Sequence, residues 1–165
     1  MQKSQIATFN ILIVDDDKPI QRLVYDVLAS LGFKNIMAAN NGRRAIELME
    51  QHKFDFIITD WRMGDMDGID IVRFARQDTD SKHLTTPIIM LTGNSEPNYV
   101  LTARDTGVNS YLIKPFSAEQ LVKRIRTIIE QPVPFVLAPK YHGPDRRHKT
   151  LPPPDKIERR KPRKS

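Results

Sequence analysis

Asp15, Asp16 and Asp17 follow the aliphatic run ILIV, Asp60 follows FDFIIT, Thr92 follows PIIML, and Lys114 follows YLI. Carboxylates crowded at one place are costly: two unit charges about 4 Å apart repel by roughly 4 kcal/mol at an effective dielectric of 20. Such a cluster calls for a compensating cation. An all-oxygen ligand set suits a hard divalent ion such as Mg2+, which keeps several waters and leaves room for a phosphate. A carboxylate surrounded by a metal, a hydroxyl and an ammonium can accept a phosphoryl group, because its three oxygens are then neutralised together. Asp60 is the expected nucleophile. The alternative for the acidic triplet is a solvated loop in which one acid, Asp17 above all, caps the following helix.

That chemistry requires the acids to meet, so the elements carrying them matter. Short apolar runs recur at residues 11–14, 35–39, 54–59, 87–91 and 110–113, and several are nearly continuous, as strands buried on both faces of a parallel sheet are. Between the first two, Ile20, Leu23, Val24, Val27, Leu28 and Leu31 form one helical stripe, with Pro19 suited to a first turn and Gly32 to a stop. Ser117 and Gln120 have the spacing of a capping box for a helix whose inward face is Leu121, Val122, Ile125, Ile128 and Ile129. Weaker helical patterns cover 42–51, 68–76 and about 97–105. Five alternations of strand and helix predict an α/β fold with a doubly wound parallel sheet, in which ligands bind beyond the carboxyl ends of the strands.

Charge divides the chain unevenly. Residues 1–130 hold 16 Lys and Arg against 17 Asp and Glu, whereas residues 131–165 hold 10 against 3 and also 8 of the 12 prolines. The expectation is a folded unit over 1–130 and a basic, Pro-rich, disordered tail over 131–165. Absence of cysteine excludes disulfides and thiolate metal sites, and no apolar run is long enough for a transmembrane segment, so a cytoplasmic location is expected.

At VDDD, TDWRM…MDG, LTG and YLIKPF the sequence resembles the receiver domain of two-component response regulators, over roughly residues 9–130. Each motif alone is weak, but four in register on a five-unit α/β pattern are specific. The resemblance implies a flavodoxin-like five-stranded sheet of order 2-1-3-4-5 and phosphoryl transfer to Asp60 from a histidine kinase or histidine phosphotransfer protein. It implies that Asp15, Asp16, Asp60 and the backbone carbonyl of Arg62 hold Mg2+, and that Lys114 contacts the phosphoryl oxygens, with Pro115 after a cis peptide. Thr92 and Tyr111 become switch residues that remodel the surface of the helix near 97–105, the strand at 110–113 and the helix after Ser117. The protein is then a single-domain response regulator, a signalling phosphoprotein and not an enzyme, that acts on a downstream protein or in a phosphorelay. A homodimer through the switch surface is a further expectation by analogy.

Departures from the family pattern are Gly64 in place of a proline four residues after the acceptor, the bulky Arg62 two residues after it, and Asn94 two residues after Thr92. Trp61, the only tryptophan, is expected to line the pocket rim or pack beside it. His52, His83, His142 and His148 show no ligand spacing. The tail raises two further readings: contact with nucleic acid through DRRHK and ERRKPRKS, gated by the receiver but not favoured, or docking through KYHGPDRRH with a Gly-Pro turn. A receiver-like scaffold that works without phosphorylation is the remaining alternative.

Overall fold

The computed structural model describes residues 3–93 and 97–146. A single N-terminal turn, α1 (Lys3–Ile6), precedes the alternation β1 (Asn10–Val14), α2 (Lys18–Leu31), β2 (Asn35–Ala39), α3 (Gly42–Gln51), β3 (Phe56–Asp60), α4 (Gly68–Arg76), β4 (Ile88–Thr92), α5 (Pro97–Thr106), β5 (Ser110–Ile113) and α6 (Ala118–Glu130). The sheet order is β2-β1-β3-β4-β5, and every pairing in it is parallel.

Alternation along the central strands explains why they read as unbroken apolar runs. Ile11 and Ile13 face α2 and α6, packing with Val24, Leu28, Leu121 and Ile125. Leu12 and Val14 face the other way, toward Ala45 and Leu48 of α3 and Ile71 and Val72 of α4. Both faces are covered, so apolar side chains dominate these strands up to their carboxyl ends.

Helix ends follow the local signals. The Asp17 side chain accepts from the Ile20 N–H and caps α2, and Gly32 ends it in the left-handed region at φ 101°. Ser117 and Gln120 form the reciprocal capping box at α6. The third strand begins two residues later than FDFIIT suggested and includes Asp60, because Phe54 turns into the core beside His83 while the Asp55 carboxylate accepts the Asn10 N–H.

The largest departure is in the segment expected to be a disordered tail. Residues 135–144 form an antiparallel pair, β6 (Phe135–Ala138) and β7 (Tyr141–Pro144), reversing at Pro139 and Lys140. Gly143 and Pro144 lie in β7, so the expected Gly-Pro turn is part of a strand instead. The pair is anchored by long-range contacts that a local reading cannot detect. His142 Nδ1 lies 2.6 Å from the Arg76 carbonyl, Arg146 pairs with Asp105 at 2.7 Å, and Phe135 covers the Arg76 guanidinium at 5.2 Å. His148 and the ERRKPRKS motif lie outside the described residues.

Candidate functional site

The parallel register brings the acids together. Val14 is paired with Thr59, so Asp15 and Asp60 emerge side by side where β1 and β3 end. Carboxylate oxygens of Asp15, Asp16 and Asp60 all lie within 4.8 Å of one another. Asp15 is 1% exposed and Asp60 7%. Backbone bonds fix both positions: the Asp15 N–H donates to Ala39 and the Trp61 N–H to Leu91. The Gln21 amide adds donations to the Asp15 and Ala39 carbonyls.

Lys114 projects from the end of β5 into the same cluster. Its ammonium lies 3.0 Å from Asp60 Oδ1 and 3.2 Å from Asp15 Oδ2, and its N–H donates to the Thr92 carbonyl. The Lys114–Pro115 peptide is cis. Asp15 Oδ1 also accepts the Asp17 N–H, and Asp60 Oδ1 the Trp61 N–H.

Burial pushes the Asp60 and Asp15 carboxyls above the ordinary carboxylate range, against the lowering effect of Lys114. Burial alone lowers the Lys114 ammonium, but its hydrogen bond to Asp60 and the charges of Asp15 and Asp60 raise it overall. One ammonium thus pairs with two buried carboxylates, and the exposed Asp16 carboxylate lies close beside them. That surplus of hard oxygen donors fits Mg2+.

Gly68 determines how closely α4 approaches the acid. A Cβ there would lie 2.0 Å from the Asp60 carbonyl oxygen, and the Gly68 N–H donates to the Trp61 carbonyl at 2.8 Å. Only glycine permits this contact between helix and strand end. Gly64, at the position departing from proline, adopts φ 93°.

Asp60, Trp61, Arg62, Thr92, Gly93, Tyr99 and Lys114 line an open cleft of about 420 Å³. Thr92, expected at this rim, is there and buried. Trp61 both lines the cleft and packs, meeting Tyr99 edge-on at 5.4 Å between ring centres. The Arg62 side chain points to the Tyr99 hydroxyl, donating at 3.1 Å. Tyr111 is half-buried on β5 against the α3–α4 side of the core and is not among the cleft-lining residues. Asn94 lies outside the described residues.

Tyr99 and Gly68 were missed as site residues. Tyr99 sits in a helix of weak amphipathic pattern, and only its ring partners reveal it; the MDG motif held a signal for Gly68 without its physical reason.

A family model for the response regulator receiver domain matches residues 11–126. The chain belongs to this receiver family. Chemotaxis protein CheY of Pseudomonas aeruginosa is 40% identical over 121 residues, which cover 73% of this chain and 96% of that protein. Among solved structures, chemotaxis response regulator CheY4 of Vibrio cholerae aligns with TM-score 0.67 and 32% identity over 73% of this chain and 98% of its own. The receiver domain of a sensor histidine kinase from Pseudomonas aeruginosa PAO1, with a magnesium ion coordinated in its active-site cleft, aligns at TM-score 0.65 and 29% identity over 74% of this chain and 98% of its own. Among the described residues of this receiver protein, no helix is long and apolar enough to cross a membrane.

Proposed function

We propose that this receiver accepts a phosphoryl group on Asp60 from the phosphohistidine of a histidine kinase or histidine phosphotransfer protein. The observation carrying this reading is the convergence of Asp60 with Lys114 and Thr92 in one cleft and with Asp15 and Asp16 in one carboxylate cluster. An Asp60 oxygen forms the new O–P bond as the donor's N–P bond breaks, and the bonding pair returns to the imidazole nitrogen. Lys114 and the Thr92 hydroxyl stabilise charge on the transferred oxygens. Mg2+, held by Asp15, Asp16, Asp60 and the Arg62 carbonyl, would supply the remaining charge neutralisation.

Loss of the group proceeds by slow hydrolysis in the same cleft, so the protein works as a signalling substrate in the cytoplasm more than as an enzyme. Thr92 and Tyr111 then carry the new charge state to the surface of α5, β5 and α6, where a downstream protein binds. Intact-mass spectrometry after incubation with acetyl phosphate tests the reading. A single phosphoryl adduct that requires both Mg2+ and Asp60 supports it; an adduct retained by Asp60→Asn, or none from acetyl phosphate or a purified kinase, refutes it.

A further inference from the structure

Two cations line the cleft beside Asp60, and they are engaged differently. Lys114 is half-buried and bound to carboxylates, whereas Arg62 is exposed and spends its hydrogen bond on a neutral phenol, the Tyr99 hydroxyl. The Arg62 guanidinium also sits 6.0 Å from the centre of the Tyr99 ring. Among the described residues, no carboxylate pairs with it. Tyr99 lies in the first turn of α5, so Arg62 and Trp61 together tie the segment after the acceptor to this helix.

A phosphoryl group on Asp60 changes the competition for Arg62. It brings up to about two negative charges and three strong acceptor oxygens, and charge-assisted bonds to such oxygens are roughly twice as strong as neutral ones. The phenol offers Arg62 a weaker neutral acceptor. A long, exposed guanidinium stem in the same cleft has the freedom to exchange one partner for the other.

Building on the phosphoacceptor reading above, we propose that Arg62 is a two-position cation: it bonds Tyr99 while Asp60 is free and moves onto the phosphoryl oxygens when Asp60 carries them. Phosphorylation thereby unlatches the first turn of α5 from the acceptor segment. Tyr99 is a positioning residue that acts through Arg62, independently of Thr92 and Tyr111. Its hydroxyl also holds Arg62 back from the phosphoryl group, so removing the hydroxyl prolongs the life of the adduct.

Hydrogen exchange over residues 97–106, read by mass spectrometry with and without acetyl phosphate and Mg2+, tests the latch in wild type, Tyr99→Phe, Arg62→Gln and the double variant. In unphosphorylated protein, each single variant should exchange faster in this segment by about threefold, the scale of one exposed hydrogen bond, and the double variant no faster than either. Phosphorylation should raise exchange about threefold more in wild type than in Tyr99→Phe, whose remaining rise is the share carried by Thr92 and Tyr111. Adduct decay followed by intact mass should be slower in Tyr99→Phe and faster in Arg62→Gln, with the Tyr99→Phe effect absent in the Arg62→Gln background. A full phosphorylation-dependent rise in Tyr99→Phe, or additive effects in the double variant, would overturn the latch while leaving Asp60 as acceptor. Failure of wild type to form the Asp60 adduct would overturn both.

Discussion

Lys114 and Arg76 are both cations held inside this receiver, at opposite ends of its sheet and in contrasting company. Lys114 stands at the carboxyl rim among acids, with Asp15 and Asp60 at 3.2 and 3.0 Å. Arg76, 4% exposed, lies beyond the amino ends of β4 and β5 and, among the described residues, hydrogen-bonds only neutral acceptors. Its guanidinium donates to the carbonyls of His83, Leu84, Thr86 and Gly107 and to the Asn109 side chain, under the Phe135 ring. Burial lowers it to about 10, still protonated at neutral pH. A satisfied cation among carbonyls joins loops; a cluster with more acids than cations leaves negative charge at the rim, where the proposed metal and phosphoryl group would bind. The first arrangement is architecture and the second is chemistry, although both bury a positive side chain.

Arg76→Met should break the architectural end. Several buried carbonyls lose their donor together and Phe135 of β6 loses its cation–π partner, so a loss of about 3–5 kcal/mol is expected in urea unfolding, and Mg2+ should not restore it. Gly68→Ala should rank next, at about 2–3 kcal/mol, since the added methyl forces α4 away from Asp60. Thermal unfolding would register the loss, and slower phosphorylation by acetyl phosphate would place it at the cleft.

Lys114→Met sharpens the contrast. Phosphorylation of Asp60 should slow by about 100-fold, the scale of losing one preorganised charge contact. Its stability loss, about 1–2 kcal/mol in Mg2+-free buffer, should be partly recovered by Mg2+, because a bound ion replaces the missing cation and stabilises the folded state by mass action.

The smallest effect is in pH dependence, where the two ends have opposite signs. Asp15 and Asp60 are raised above 3.8, so their favourable contribution is complete below that value and is lost as pH rises through the folded values. Stabilisation by Mg2+ should therefore grow over the same rise. His83, near Arg76, is lowered from 6.5 by burial despite bonds to the Met49 and His52 carbonyls. Its contribution is complete above 6.5 and is lost as pH falls through the folded value. Stability measured from pH 7 down to 5 in His83→Gln should consequently fall less than in wild type, by under about 1 kcal/mol. An unchanged slope would remove His83 from the account.

The five-stranded sheet was legible because its information is local: strands buried on both faces read as unbroken aliphatic runs, and Asp17, Gly32 and Ser117 mark helix ends through bonds spanning a few residues. Asp15, Asp60, Thr92 and Lys114 were legible as strand-end residues, since a parallel sheet places all its carboxyl ends at one rim. Arg62 was visible as a departure, but its partner was not. Tyr99 lies 37 residues along the chain from Arg62, and His142 lies 66 from Arg76. Composition made residues 131–165 look uniformly unstructured, because the contacts ordering β6 and β7 belong to α4 and α5. Local periodicity and chain order were enough to determine five parallel strands with acids at their carboxyl ends, and the resemblance to receivers supplied the strand order that brings Asp15 and Asp60 together; only tertiary packing decided what Arg62, Arg76 and the β6–β7 pair touch, because those energies arise between residues that no sequence window contains together.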